Sequence, residues 1–297
     1  MTGTVPNRSV LTPVPQDTRH PDTGHPGAAH PDITPWSTDP YADALRNGHG
    51  PLFLRRTDGW LLPLDVERWC GGADAADLSA LRRCEGPVLD IGCGPGRLVA
   101  ELAARGHRAL GIDVSETAVA HTLRTGGSAL HRSVFDPLPG EGRWGTVLLI
   151  DGNIGIGGDP HGLLLRTAEL LAPGGLLIAE TVSPDIDERV RVRLYDGRRA
   201  PGGSGGSGGS GGPDRTGAGD GHFPWARIGS PALLRYARPN GWHPVDQWVA
   251  DGRPFVALRR DRSVRTVSQS ADTANTTAVI SSQFPRKTSG DSPLAGS

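Results

Sequence analysis

The chain has 297 residues, of which 36% are apolar and 43 are glycine. That composition supports a packed core and excludes wholesale disorder. Basic and acidic residues balance, 31 against 32, for a net charge of −1. This excludes a polycation that grips nucleic acid or an anionic membrane through bulk charge. Cys70, Cys84 and Cys93 share no CxxC spacing, which reads as a reducing compartment without a disulfide framework. No run of 18 apolar residues and no signal-peptide pattern is present, so the expectation is a cytoplasmic protein with neither membrane nor nucleic-acid partners.

In chain order, residues 1–37 read as a disordered tail rich in Pro, Thr and Asp, with His-Pro repeated at His20, His25 and His30. Residues 38–85 read as an N-terminal lid. Leu52–Arg56 and Trp60–Leu64 flank Thr57-Asp58-Gly59 as a hairpin, and a helical piece runs through Trp69. From 86 to 260 strand and helix signals alternate. Strands are expected at Pro87–Ile91, Arg108–Ile112, Ser128–Val134, Thr146–Ile150 and Leu176–Val182. Helices are expected from about Leu98 to Arg105, from the N-cap Ser115 to Arg124, and from Asp159-Pro160 through Leu171. That order implies a parallel α/β sheet. An insertion at 183–228 holds the alternating stretch Arg189–Leu194, expected as a strand with a solvated arginine face, and a Gly/Ser tether at 201–221. Ser230-Pro231 opens a further helix. Trp242–Val249 and Pro254–Leu258 form an antiparallel hairpin around Asp251-Gly252. Residues 261–297, rich in Ser and Thr, read as a second disordered tail.

The informative stretch is Val88-Leu89-Asp90-Ile91-Gly92-Cys93-Gly94-Pro95-Gly96-Arg97. Glycines between a strand and a helix allow a tight turn and a ligand touching the backbone, and the free N–H groups of the helix start favour an anion. The nicotinamide fingerprint G-x-G-x-x-G fails, because its third glycine would fall at Arg97. Asp113 ends the next strand, where a carboxylate can accept both hydroxyls of a ribose. Phe135-Asp136 follows the third strand, and an aromatic ring beside a carboxylate suits an adenine. Asp136 also reads as a turn residue before Pro137. After the fourth strand, Asp151, Gly152, Asn153 and the glycines to Gly158 suggest a backbone pressed against a ligand. Asp151 and Asn153 lack a third partner for a metal, so no metal is expected.

VLDIGCGPGRLVAELAARGHRALGIDVSETAV resembles motif I and post-I of the class I S-adenosylmethionine-dependent methyltransferases. PGGLLIAET resembles their fifth strand, and the terminal hairpin matches their antiparallel seventh strand. The resemblance covers about 86–182, and 229–260 more loosely. It implies a Rossmann-like methyltransferase fold: a mostly parallel seven-stranded sheet with an antiparallel C-terminal β-hairpin and helices on both faces. It further implies S-adenosylmethionine as cofactor. Asp90 with the Gly92, Cys93, Gly94 and Gly96 loop would hold the methionyl part, and Asp113 the ribose. Ile112 or Val114 would pack on the adenine, and Asp136 would bond its amine. The implied activity is methyl transfer to a small-molecule acceptor. An NAD(P)-dependent oxidoreductase and a non-catalytic cofactor-binding protein are the competing readings. His222, in His222-Phe223-Pro224-Trp225, is the candidate catalytic base, with Tyr195 and His161 behind it.

Overall fold

A computed structural model describes residue 36 and residues 39–183, 185–198 and 221–261. The two expected tails and the tether lie outside the described residues, apart from Trp36, Gly221 and Asp261.

The chain begins with α1 (Asp39–Asn47), β1 (Phe53–Arg56) and β2 (Leu61–Pro63). Asp58 turns the hairpin by accepting the Trp60 N–H at 3.1 Å. Next come α2 (Val66–Cys70), capped by Asp65, and α3 (Ala75–Leu81), opened by a reciprocal capping box between Asp74 and Asp77. Strands and helices then alternate: β3 (Val88–Ile91), α4 (Arg97–Ala104), β4 (Ala109–Asp113), α5 (Glu116–Arg124) and β5 (Ala129–His131). They continue with β6 (Trp144–Leu149), α6 (Pro160–Leu170) and β7 (Leu171–Glu180). Ser115 and Asp159 cap α5 and α6 with their side chains, as their positions in the sequence imply. The last elements are β8 (Asp187–Tyr195), β9 (Phe223–Ile228), α7 (Ser230–Ala237), β10 (Trp242–Ala250) and β11 (Arg253–Arg260).

Seven strands form one sheet in the order β10-β11-β7-β6-β3-β4-β5. β7, β6, β3, β4 and β5 are parallel, and β11 runs antiparallel to both β7 and β10. Successive residues of the central strands face opposite sides. Leu89 and Ile91 pack with α6 and α7 on one face, whereas Val88 packs with α3 and α4 on the other. Burying both faces is why these strands are apolar throughout. This is the expected fold class. No helix among the described residues is long and apolar enough to cross a membrane.

Three local expectations change. The strand expected at 128–134 shortens to β5, because Ser133 and Asp136 bond each other locally in place of a ladder. The helix α6 stops at Leu170, and Leu171 is already extended, so β7 begins before Pro173-Gly174-Gly175 and carries a register irregularity against β6. Helix α7 is capped by Gly229, not by Ser230, whose hydroxyl pairs with Thr181 at 2.8 Å.

The larger finding is a second sheet, β2-β1-β8-β9, antiparallel throughout. It joins the N-terminal hairpin to the insertion, segments more than a hundred residues apart in the chain. Leu54, Val192, Phe223 and Trp225 are buried on its inner side. Arg189, Arg191 and Arg193 face solvent, the solvated reading of their alternation.

Candidate active site

β3 is buried along its length and delivers the chain into the glycine loop. Gly94 has φ +55, a conformation that L side chains rarely adopt, and the nearest atom to an added Cβ is Tyr41 Oη at 3.6 Å. The loop is tied on three sides. The Gly94 N–H donates to Asp113 Oδ2 at 2.9 Å, and Thr122 Oγ1 donates to the Gly94 carbonyl at 3.1 Å. Asn153 Nδ2 reaches the Ile91 and Gly92 carbonyls at 2.8 and 3.0 Å. The other Asp113 oxygen accepts the Ser115 N–H at 2.9 Å, which couples the loop to the start of α5.

A cleft of about 1060 Å³, part of it open to solvent, lies against this loop at the C-terminal ends of β3, β4 and β5. Parallel α/β sheets bind ligands at that end. The lining of the cleft includes Gly92–Pro95, Ile112–Val114 and Arg132–Phe135 from the strand ends of the sheet. It also includes Trp36, Tyr41, Leu64 and Trp69 from the N-terminal segment, with Ile156, Gly157 and Phe223–Trp225.

Behind the loop lies a buried ionic network. Arg97 binds Asp77 through Nε at 2.8 Å and Nη2 at 3.0 Å, and Asp151 through Nη1 at 2.7 Å. Arg68 Nη2 holds the other Asp151 oxygen at 2.7 Å. Arg253 Nη1 reaches Asp77 at 3.0 Å, and its Nη2 reaches Glu180 at 2.7 Å. Burial alone would raise the Asp77 carboxyl, but the Arg97 and Arg253 guanidiniums outweigh it and hold the group below its ordinary value. Asp90 lacks such a partner. Burial pushes it up to about 7; Arg97 opposes this, while Asp151, Asp113 and Asp77 add to it. Its Oδ2 has no hydrogen-bond partner among the described residues. Burial raises Asp113 as well, against the pull of the Ser115, Gly94 and Val114 N–H groups and of His131. Tyr41 and Cys93 are raised well above their ordinary values by burial and then by the Asp113 charge.

Of the residues singled out in the sequence, Gly92, Cys93, Gly94, Asp113, Val114, Phe135 and Asp151 line the cleft. Asp90, Gly96, Asp136, Gly152 and His222 are not among its lining residues. Asp90 lies beneath the loop. Gly96 is turned onto Thr122, whose Oγ1 would sit 2.4 Å from an added Cβ. Asp136 accepts the Ser133 N–H at 3.0 Å, which is the turn-residue role. Gly152 opens the short 3₁₀ turn Asn153–Gly155. His222 sits one residue outside the lining Phe223, and its carbonyl accepts from Arg191 at 2.7 Å. Tyr195 packs near Phe53, and His161 lies in the first turn of α6; neither lines the cleft. Of the later glycines after β6, Gly157 lines the cleft, whereas Gly155 and Gly158 face β9. An added Cβ at Gly155 would lie 2.1 Å from the Ala226 carbonyl, and one at Gly158 would lie 2.7 Å from Pro224. These glycines admit β9 rather than a ligand. Among the described residues no three His, Cys, Asp or Glu side chains gather as a metal site would require.

Sequence reasoning missed Trp36, Tyr41 and Trp69 as cleft residues and Arg97 as an ionic hub. Trp36 falls inside the expected tail, yet its ring lies 5.3–5.6 Å from those of Tyr41, Phe223 and Trp225. The available signal was a Trp-x₄-Tyr pair just before the hairpin, which nothing local distinguishes from a short amphipathic helix.

The strand order, the glycine loop held by Asp113 and the antiparallel β11 together define the class I S-adenosylmethionine-dependent methyltransferase fold. Residues 68–205 match a family model described as a methyltransferase domain. A structure of an S-adenosylmethionine-dependent methyltransferase from Bacteroides fragilis, in complex with S-adenosyl-L-homocysteine, superposes with a TM-score of 0.60 at 18% identity. That match covers 79% of this chain and all of the other. Over 105 residues the chain is 32% identical to the ubiquinone biosynthesis O-methyltransferase of Dechloromonas aromatica (strain RCB). The match takes in 32% of this chain and 44% of that protein, so the chain spans less than half the length of this curated relative.

Proposed function

We propose that this protein transfers a methyl group from S-adenosylmethionine to a small-molecule acceptor, in the cytoplasm. The hold of Asp113 on Gly94 carries the reading. It fixes the glycine loop against the cleft, and each Asp113 oxygen, having accepted one backbone N–H, keeps capacity for a further hydrogen bond from a ribose hydroxyl. Gly92, Cys93 and Gly94 would hold the methionyl part, and Ile112, Val114 and Phe135 would hold the adenine. An added Cβ at Gly94 would meet nothing nearer than Tyr41 Oη, which fits a ligand approaching the backbone there. Asp90, beneath the loop, would support it electrostatically, and Asp136 would order the turn behind Phe135.

When bound, S-adenosylmethionine would supply a sulfonium-activated methyl group, with S-adenosylhomocysteine as the leaving product. The chain's contribution is orientation and exclusion of water. The titratable groups that line the cleft are already engaged or protonated. Asp151 is held by Arg68 and Arg97, Asp113 is occupied by backbone donors, and Tyr41 and Cys93 stay protonated at neutral pH. Three unpaired cysteines support the reducing compartment.

A dinucleotide reading is disfavoured by Arg97. Its side chain occupies the third-glycine position and is committed to Asp77 and Asp151. Calorimetric titration of the full chain with S-adenosylhomocysteine, with NADH and NADPH as controls, tests the choice. The homocysteine compound is expected to bind and the dinucleotides not. Binding of a dinucleotide alone, or of none of the three, refutes the proposal.

A further inference from the structure

The acceptor side of the cleft has a chemistry of its own. Trp36, Leu64, Ile156, Phe223, Pro224 and Trp225 line it, and none carries a charge. The charged side chains of the cleft lie elsewhere or are committed. Arg97 and Asp151 pair with each other, Asp113 holds the glycine loop, and Arg132 enters the lining with Ser133 and Phe135 from the loop after β5. A charged acceptor seated on the apolar side would lose its hydration and find no counter-charge there.

Three of these residues form an aromatic wall. Ring centroids are 5.4 Å apart for Trp36 and Phe223, 5.6 Å for Trp36 and Trp225, and 6.3 Å for Phe223 and Trp225. The rings are inclined to one another by 59°, 51° and 90°. Phe223 and Trp225 meet edge to face and Trp36 is tilted against both, so the three rings pack on one another and leave no open aromatic cage for an ammonium. The wall is also held by main chain. Ile156 and Trp225 form a backbone bridge, and an added Cβ at Gly155 would lie 2.9 Å from the Trp225 indole. A preformed aromatic wall favours a rigid, flat ligand, which loses little on ordering and lies against one ring while meeting the others at their edges.

We propose that the acceptor is a planar, uncharged aromatic molecule that packs on the wall formed by Trp36, Phe223 and Trp225. This rests on the methyltransferase reading, and the test separates the two. The full chain is saturated with S-adenosylhomocysteine and titrated calorimetrically with four probes of one size. These are 2-naphthol, the saturated decahydro-2-naphthol, 2-naphthoate and 2-(aminomethyl)naphthalene, which is cationic at neutral pH. 2-Naphthol is expected to bind at least tenfold more tightly than each of the other three. In Trp225→Leu the ratio of naphthol to decahydronaphthol affinity is expected to fall at least fivefold. A purely structural role would weaken both probes alike and leave the ratio unchanged. Should Trp225→Leu fail to fold by circular dichroism, Trp36→Leu carries the same ratio test. Equal or tighter binding of the saturated, anionic or cationic probe overturns the acceptor class. So does an unchanged ratio, or failure of every probe on a protein that binds S-adenosylhomocysteine. In those cases the methyltransferase reading stands. Failure to bind S-adenosylhomocysteine itself overturns both.

Discussion

Replacing Asp90 with asparagine should make the protein more stable at alkaline pH and leave it nearly unchanged in acid. Asp90 is 2% exposed, and burial lifts its carboxyl from 3.8 to about 7. The folded state therefore binds this proton more tightly than the unfolded chain does. Below pH 4 the group is neutral in both states, and its full contribution is present. From pH 4 to 7 the unfolded chain releases the proton while the folded chain keeps it, so stability falls. Above pH 7 the folded chain buries a carboxylate. A shift of roughly three pH units at about 1.4 kcal/mol per unit gives a penalty of about 4 kcal/mol, or about 10 °C in melting temperature for an ordered region of this size. Asparagine keeps the shape and never ionises. Urea unfolding of both proteins from pH 4.5 to 8.5 should give curves that converge in acid and diverge to about 4 kcal/mol at pH 8. Parallel curves across that range would refute the buried, unpartnered carboxylate as the cause.

Asp113→Ala leaves the Gly94 and Ser115 N–H groups without their acceptor, and affinity for S-adenosylhomocysteine should fall at least tenfold in a titration. Gly94→Ala forces a non-glycine residue to φ +55 at a cost of about 1–2 kcal/mol and puts a methyl at the cleft, so melting temperature and cofactor affinity should fall together. Gly155→Ala drives a methyl into the Ala226 carbonyl, and the naphthol probe should bind more weakly while the homocysteine compound binds as before. Asp77→Ala removes one partner from both Arg97 and Arg253 in a buried network, and urea unfolding should show a loss of about 3–5 kcal/mol.

How far the site could be read in advance depended on whether a residue's role is local. Gly92, Gly94 and Asp113 were legible because a strand, a tight turn and a helix start impose their chemistry within a few residues. Ser115 and Asp159 were legible as caps for the same reason. The insertion strand Arg189–Leu194 was recognised from its period of two, but its partners were not, since β1 and β9 come from opposite sides of it in the chain. His222 was attractive as a histidine among aromatics. In the fold, β9 begins at Phe223 and its first three residues, Phe223, Pro224 and Trp225, line the cleft, while His222 precedes the strand and stays out of the lining.

The sequence by itself determined the glycine loop with its Asp113 partner, the parallel run of the central strands and the antiparallel finish. All of these follow from periodicity, caps and glycine spacing, which act over one or two elements. Only the tertiary structure decided the aromatic end of the cleft. Trp36 meets Tyr41, Phe223 and Trp225 where β1 and β8 pair across more than a hundred residues, and the glycines at 155 and 158 let that second sheet seat against the first. Tertiary packing also turned Arg97 from a missing glycine into the centre of a buried ion network. Such pairings depend on surfaces that exist only once both sheets are assembled, and no local pattern in the chain encodes them.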